Sequence, residues 1–343
     1  MNLLEKIQMA IPAQVYGAIL ANVDYILIGA GIPAELPKII RDLSANRQTH
    51  IKIDVVDSTR KYLLKFNPSA ISDVVTPLKQ PKFLAIISSH ALAAYLNKDQ
   101  ETRPDGFIVE GFIAGGHNAP PRSKDAIGED GQSKFTEADV ADLEKVKKTG
   151  LPFWLAGGYN TPAKLGEAKA SGATGIQVGT LFALCDESGI TPEIRSQLRA
   201  QIADHSITVR TDPTASPTGF PFKIVELEGT LSSKSNFIRR DRICDLGYLR
   251  IPFETERGGI GYRCSGEPKR TFEFKKGSLL TAANSHCLCN ALMADIGMPQ
   301  VRPSGAIELP LVTLGADLSG SDVLATQFPE GWSAVQALDY LRN

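Results

Sequence analysis

His117 is the side chain of this sequence best suited to acid–base chemistry. It follows Gly115 and Gly116, shortly after an apolar run that reads as a strand, Gly106–Glu110. An imidazole titrates near neutral pH and can therefore take or give a proton. A lone histidine is more often structural, but a glycine pair after a predicted strand favours a side chain that points into a pocket. We predict that His117 is catalytic.

Two further glycine segments have the residue types of a phosphate site. Gly157-Gly158 follows the predicted strand Pro152–Ala156, and Gln177-Val178-Gly179-Thr180 closes the next predicted strand, Gly175–Val178. Glycine lets the backbone approach an anion closely, and the N–H groups at a helix start carry partial positive charge. Consecutive strand ends of this kind form the phosphate site of (β/α)8 barrels. Two ordinary glycine turns remain the alternative.

A competing phosphate site lies nearer the N-terminus. Residues Gly29–Ala34 fit the G-x-G-x-x-G/A pattern of dinucleotide-binding folds, and Asp54 lies roughly where a ribose-binding acid would be. However, Pro33 removes one N–H from such a cradle, and Ile51–Val55 alternates like an exposed hairpin strand. A tight strand-to-helix turn is the interpretation we favour.

The C-terminal cysteines raise the question of a metal site. Zinc usually takes paired C-x2–4-C ligands, whereas the only close pair here is Cys287 and Cys289, next to His286. The distances along the chain to Cys244 and Cys264 are uninformative. We therefore predict small buried side chains and no metal, with a redox role as an alternative.

The elements that must position these residues alternate between strand and helix up to about residue 205, which predicts a parallel α/β sheet. Two runs, Ile51–Val55 and Tyr62–Phe66, predict an inserted hairpin. Beyond residue 206 come short β-like pieces and a final helix near Ala334–Leu341. We predict one domain over residues 1–205 and a C-terminal extension over 206–343 packed on it. The predicted helices are Pro33–Leu43, Ala91–Leu96, Glu137–Lys148 and Thr161–Ser171.

Composition excludes several classes of protein. The 343 residues include 37 Lys+Arg and 38 Asp+Glu, a net charge of −1, which argues against broad binding to nucleic acid or anionic membranes. The longest apolar stretch, Phe83–Leu96, is too short to span a bilayer, and Glu5 and Lys6 interrupt any signal peptide. Five cysteines without a secretory pattern predict free thiols in the cytoplasm.

Three segments together resemble the nitronate monooxygenase (2-nitropropane dioxygenase-like) flavoproteins. They are IVEGFIAGGHNAPP (Ile108–Pro121), LPFWLAGGYNTPAKLGEA (Leu151–Ala168) and ASGATGIQVGTLF (Ala170–Phe182). The resemblance covers roughly residues 1–205 and implies an α/β fold of the (β/α)8 TIM-barrel type that binds FMN. It also implies roles for individual residues: His117 as the catalytic histidine, Gly115 and Gly116 beside the isoalloxazine, and the flavin phosphate at Gly157, Gly158, Gly179 and Thr180. Gln177 and Val178, in the same segment, are further cofactor-binding residues.

The sequence departs from this family in two places. Many relatives have a glutamate just before A-G-G-H, where this chain has Ile113. The N-terminus has no glycine- and methionine-containing loop after a first strand; Asn2 instead resembles the asparagine that contacts the flavin at the end of the third barrel strand. Counting from Asn2, we expect about six barrel strands. This count predicts a truncated chain or one half of a split gene, with a homodimer or an N-terminal partner fragment completing it.

The reaction that the resemblance implies is FMN-dependent oxidation of a nitronate or nitroalkane by O2. The alternatives are an NAD(P)H-dependent flavin reductase acting on an enoyl thioester, since those enzymes share the scaffold, and a non-catalytic or split-enzyme subunit. The loop Thr211–Lys223 contains three prolines and ends on Phe220 and Phe222. We predict that this loop covers the mouth of the site near His117, with one of these rings as an apolar wall. A connector packed outside the barrel is the alternative.

Overall fold

The structure is a computed structural model that describes residues 1–73, 77–123 and 125–343. The chain divides into two compact units. The first comprises Met1–Val109, Ala141–Phe153 and Ile251–Tyr262, and the second comprises Glu110–Val140, Trp154–Arg250 and Arg263–Asn343. The predicted division at residues 205/206 stays a prediction.

The strands follow one another along the chain as short segments of three to six residues. They are β1 (Asn2–Leu4), β2 (Tyr25–Gly29), β3 (Thr49–Ile53), β4 (Tyr62–Phe66), β5 (Lys82–Ile87), β6 (Gly106–Glu110), β7 (Phe153–Ala156), β8 (Gly175–Gln177), β9 (Val209–Asp212), β10 (Phe222–Val225), β11 (Ile251–Glu254) and β12 (Ile260–Arg263).

The helices alternate with the strands in the first half of the chain and predominate toward its C-terminus. They are α1 (Ile11–Leu20), α2 (Leu36–Ser44), α3 (His90–Asn97), α4 (Leu143–Lys147), α5 (Pro162–Ala170), α6 (Thr180–Ala183), α7 (Pro192–Ala203), α8 (Lys234–Arg239), α9 (Lys269–Phe274), α10 (Leu279–Asn284), α11 (Leu288–Asp295), α12 (Ser319–Gln327) and α13 (Ala334–Arg342).

The main sheet contains six strands among the described residues, in the order β1-β2-β5-β6-β7-β8. Leu3 of β1 lies opposite Ile28 of β2, and Leu84 of β5 lies opposite Gly106 of β6, in parallel register. Both faces are covered: neighbouring residues of one strand, such as Phe107 and Ile108, are almost fully buried, as expected for a parallel sheet with helical crossovers. The predicted α/β class with about six strands is confirmed.

The predicted hairpin is also confirmed, and it removes the dinucleotide alternative. β3 pairs only with β4, antiparallel, in a separate two-stranded sheet of the described chain. Asp54 therefore does not end a neighbouring parallel strand, as a ribose-binding acid would. The space beside Gly31, where a phosphate would approach, is filled by the carboxylate of Glu5. A negative charge at that position opposes an anionic ligand.

Two predicted helices begin or break elsewhere. The predicted helix Glu137–Lys148 is a 3-10 turn, Glu137–Asp139, followed by α4, because the side chain of Asp142 caps a new helix start through the N–H of Lys145. The helix predicted from Pro33 starts at Leu36 with Pro37 in its first turn. A proline is well tolerated there because its missing N–H has no partner in a first turn.

The C-terminal residues contribute to the core of the second unit. Trp332 is fully buried in one cluster with Leu181, Leu198 and Val312, and its indole N–H donates to the carbonyl oxygen of Leu181 at 3.1 Å. Burying a tryptophan with its N–H satisfied is strongly stabilising. Within the described part of the chain, every helix is too short or too polar to cross a membrane.

Candidate active site

His117 lies in the loop after β6, and the start of β10 pairs with that loop. The N–H of Asn118 donates to the carbonyl oxygen of Pro221 at 2.9 Å, and the N–H of Lys223 donates to that of Gly116 at 2.9 Å. These two bonds form a short antiparallel bridge that places Phe222 directly opposite His117. The proline-rich loop predicted to lie near the histidine thus reaches it.

The imidazole of His117 is held by a ring on one side and a hydroxyl on the other. Its centroid lies 4.8 Å from that of Phe222, edge to face, and its Nε2 lies 2.7 Å from Oγ of Ser216. Burial lowers the pKa of His117 to about 4, since a charged imidazolium is poorly solvated there. The side chain is therefore neutral at pH 7.

Two titratable groups near the same loop, Lys223 and Glu110, interact electrostatically. The ammonium of Lys223 donates to the carbonyl oxygen of Phe112 at 2.8 Å and to Oδ1 of Asn118 at 3.0 Å. Burial lowers the pKa of Lys223 to about 8, an effect that the charge of Glu110 opposes. Desolvation raises the pKa of Glu110 to about 7 against the attraction of Lys223. Neither group was predicted from the sequence, although a lysine inside the apolar strand FKIV was a signal for Lys223.

The three glycine segments meet at neighbouring strand ends. Gly116, Gly157 and Gly158 all have φ between +72° and +83°, a region that disfavours residues with a side chain. A Cβ on Gly157 would lie 2.7 Å from the carbonyl oxygen of Gly111, so the ends of β6 and β7 approach closely only because glycine is present. The structure thus brings these three residues together.

A C-terminal segment, Thr313–Asp317, crosses these strand ends, and we call it the strap. The N–H of Gly116 donates to Oγ1 of Thr313 at 2.8 Å, and the N–H of Gly315 donates to Oγ1 of Thr180 at 2.8 Å. The carbonyl oxygen of Ile113 accepts from the N–H of Ala316 at 2.9 Å. The strap therefore ties the loop of His117 to the segment after β8. No sequence signal singled it out.

The strand ends leave space for a ligand beside two of these glycines. Oε1 of Gln177 is a buried acceptor without a partner in the described part of the chain. An added Cβ on Gly116 or Gly179 would meet no heavy atom within 4 Å, whereas one on Gly158 would meet the Asp317 carboxylate at 3.4 Å. Because that carboxylate repels a phosphate, the open side at Gly179 is the better place for one.

Two predicted cofactor residues are placed differently from the rest. Val178 packs its side chain against the hydrophobic core of the second unit, so only its backbone can serve a ligand. Asn2 is exposed in β1 of the first unit, whereas all the other predicted site residues belong to the second. Their roles in cofactor binding stay predictions.

Comparison with known proteins decides the family. The family model described as nitronate monooxygenase matches residues 10–215, which is more than half of the chain and includes all three glycine segments. The chain belongs to the nitronate monooxygenase family. The recognition of the family from sequence is thereby confirmed, together with its barrel-type α/β fold.

The curated relative that this member of the nitronate monooxygenase family matches has a low sequence identity to it. The (3aS,4S,5R,7aS)-5-hydroxy-7a-methyl-1-oxo-octahydro-1H-indene-4-carboxyl-CoA dehydrogenase of Mycobacterium tuberculosis (strain ATCC 25618 / H37Rv) is 28% identical over 144 residues, 42% of this chain. The match spans only 36% of that protein, about a third of its length.

Two solved structures share the fold. The enoyl reductase domain of MlnA from the macrolactin biosynthesis cluster of Bacillus amyloliquefaciens has a TM-score of 0.53 at 13% identity, covering 99% of this chain and 79% of that one. FabK from Thermotoga maritima has a TM-score of 0.51 at 18% identity, covering 99% and 73%.

The C-terminal cysteines form a cluster that their spacing did not reveal. Cys264 and Cys287 are buried and both contact the half-buried Cys244 through their side chains. These hydrogen bonds, with Arg250 beside them, hold the pKa of the Cys244 thiol well below its usual range. Among the described residues, no group of three or more His, Cys, Asp or Glu side chains is arranged to hold a metal ion. All five cysteines are free thiols in the structure.

The open side of Gly179 gives a direct test of the cofactor site. We expect Gly179→Ala to fold normally, because its φ of −106° suits any residue and its Cβ meets no neighbour. If the flavin phosphate lies at Gly179, as we expect, the methyl group would fill its space and weaken flavin binding by about tenfold or more, or 1.4 kcal/mol. Quenching of flavin fluorescence on titration measures this affinity.

Gly166→Ala is the matched control. Gly166 lies in α5 and its Cβ would also meet nothing within 4 Å, so the change should raise stability by roughly 0.5–1 kcal/mol and leave flavin affinity unchanged. Equal flavin affinity in both variants and the wild type would show that the phosphate does not lie at Gly179.

Proposed function

We propose that this chain catalyses the FMN-dependent oxidation of nitronates and nitroalkanes by O2. The observation that carries the proposal is the neutral His117, held by Ser216 in the loop that contains Gly116, where the structure leaves space for a ligand. A base that is unprotonated at neutral pH can remove a proton from a carbon acid. The family match supports the same reaction class.

The residues that would hold FMN are those at the strand ends. Gly116 would lie along the ring system, whereas Gly115 packs against the backbone of the strap at Leu314. The segment Gln177–Thr180, open at Gly179, would hold the phosphate away from the Asp317 carboxylate, and the unpartnered Oε1 of Gln177 would be available to a donor of the cofactor. When bound, the flavin accepts the electrons of the substrate anion and passes them to O2.

His117 would act on the substrate before any electron leaves it. The C–H bond next to the nitro group breaks, its electron pair stays on the substrate as a nitronate, and the proton moves to a nitrogen of His117. For a preformed nitronate the same side chain has no proton to remove and serves only as a contact. Phe222, which is buried against the imidazole, keeps water from that face and so preserves the neutral ring.

The low pKa of His117 predicts the pH profile. A base must be unprotonated, and burial brings the pKa of His117 to about 4. The titration of His117 should therefore leave kcat/KM for a neutral nitroalkane level from pH 8 down to about pH 5 and lower it only toward pH 4. Glu110→Gln serves as the control, because the pKa of Glu110 is about 7. A fall near pH 6.5 that persists in Glu110→Gln would contradict a buried base.

A second candidate reaction has a specific observation in its favour. The curated relative is named as a carboxyl-CoA dehydrogenase, so an acyl thioester is the alternative substrate class, reduced with NAD(P)H or oxidised by the flavin. Oxygen uptake with propyl nitronate and no NADH consumption with an enoyl thioester supports the first reaction. The reverse pattern supports the second.

The experiment begins with the visible spectrum of the purified chain, alone and with any product of an adjacent upstream gene. A yellow protein with a flavin spectrum that releases FMN on denaturation is the expected result. A colourless protein that ignores added FMN in both preparations would exclude the proposed cofactor. Requirement for the upstream product would support a split enzyme, and a mass twice that of the chain would support a homodimer.

A further inference from the structure

Ser216 connects His117 to a short chain of hydroxyl groups. Its Oγ lies 2.7 Å from Nε2 of His117 and 2.8 Å from Oγ1 of Thr218. The N–H of Thr218 also donates to Oγ of Ser216 at 3.2 Å. Ser216 is 4% exposed, so its hydroxyl forms hydrogen bonds with protein groups rather than with bulk water. These contacts determine what each atom can donate.

The count of protons leaves two arrangements. A serine hydroxyl has one hydrogen to donate and two lone pairs to accept with, and one lone pair is taken by the N–H of Thr218. If Ser216 donates to Thr218, its second lone pair accepts from a protonated Nε2 of His117. If Ser216 instead donates to Nε2, the neutral ring must carry its proton on Nδ1 and has no lone pair left for a substrate.

We infer that Ser216 is a positioning residue: it accepts from Nε2–H of His117 and so presents Nδ1 as the nitrogen that takes the substrate proton. The hydrogen bond of one ring nitrogen sets the tautomer of the other. This inference rests on the proposed function, because only a base needs a free lone pair.

The surrounding loop fixes the distance between the two side chains. Pro221 and Lys223 bridge the backbone on either side of His117, and the ring of Phe222 abuts the imidazole edge to face. The ammonium of Lys223 donates a hydrogen bond to Oδ1 of Asn118, the residue after His117, and so also holds this loop in place. The imidazole therefore cannot rotate to exchange Nδ1 for Nε2 without breaking the Ser216 contact.

Thr218→Val gives a test in which the expected change has a direction. Without the hydroxyl of Thr218, Ser216 loses the acceptor for its proton and can donate to Nε2. We expect long-range 1H–15N spectra of the labelled protein, with His117 assigned through His117→Asn, to show Nε2 protonated in the wild type. In Thr218→Val the population protonated on Nδ1 should rise. A wild type protonated on Nδ1 would overturn the inference.

Ser216→Ala removes the acceptor altogether. The Nε2–H signal should then exchange with water at least about tenfold faster, and kcat for a neutral nitroalkane should fall about 10- to 100-fold, as for other misplaced catalytic groups. Activity on preformed nitronate should change little. Thr214→Ala is the control, because Thr214 lies exposed in the same loop and bonds only Asp212 among the described residues.

The two proposals fail in distinguishable ways. If the protein oxidises neither nitroalkane nor nitronate, the reaction is wrong, while the 15N spectra still report the tautomer. If it oxidises both, and Ser216→Ala matches Thr214→Ala in spectrum and in rate, then Ser216 has no positioning role. Should Ser216→Ala fail to fold, Thr218→Val alone decides the question, through the direction of its tautomer change.

Discussion

Replacing His117 with asparagine should lower kcat/KM for a neutral nitroalkane by about 10²- to 10⁴-fold, the usual contribution of a positioned general base. Asparagine keeps a polar group near Ser216 and the ring of Phe222, so the loop should retain its backbone bridge to β10. Flavin content should be unchanged, because the glycine segments do not depend on the imidazole. Steady-state oxygen uptake measures the rate, and the flavin absorbance measures the cofactor content.

The decisive comparison is the loss of activity in His117→Asn and in His205→Asn, each measured with a neutral nitroalkane and with a preformed nitronate. With preformed nitronate, His117→Asn should lose far less activity than with the nitroalkane, since no C–H bond has to break. His205→Asn is the matched control: this side chain is largely exposed, beside Asp322, and its loss should leave both rates unchanged. Equal losses on both substrates in His117→Asn would assign the histidine to substrate contact rather than to proton removal.

The site could be predicted from sequence wherever a local pattern carries the chemistry. The strands that end at Glu110, Ala156 and Gln177 are short, largely apolar runs. Glycine follows the first two directly and the third after one residue, Val178. Parallel strands place their carboxyl ends at one edge of a sheet. His117 and the glycines could therefore be grouped by their positions along the chain, and the fold brings those of the second unit together.

The partners of these residues could not be predicted, because each comes from a distant part of the chain. Ser216, Thr313 and Lys223 reach the loop of His117 only after the C-terminal half has folded on it. A serine or threonine in a proline-rich segment has no periodicity that marks its contact. Among these partners, Lys223 was the one that the sequence could have indicated. A charged side chain within an apolar strand must be buried with hydrogen-bond acceptors around it.

A second expected result concerns stability rather than catalysis: Glu308→Gln should destabilise the second unit by about 3–5 kcal/mol, the usual cost of breaking a buried ion pair. The side chain of Glu308 is 2% exposed and joins two arginines, Arg240 and Arg302, the latter at 2.6 Å. Arg302 also pairs with Asp245. Neutralising Glu308 would leave Arg302 with Asp245 alone and would remove the carboxylate that pairs with the nearly buried guanidinium of Arg240.

Denaturant unfolding followed by tryptophan fluorescence suits this measurement, because Trp332 is fully buried in the same unit. Glu226→Gln is the control: Glu226 is 55% exposed and lies 3.8 Å from Arg210, so its loss should cost roughly 0–1 kcal/mol. If Glu308→Gln shifts the midpoint no more than Glu226→Gln does, desolvation of the arginines offsets their attraction to Glu308. Replacing Glu308, Arg240 and Arg302 together with apolar residues should then be neutral or stabilising.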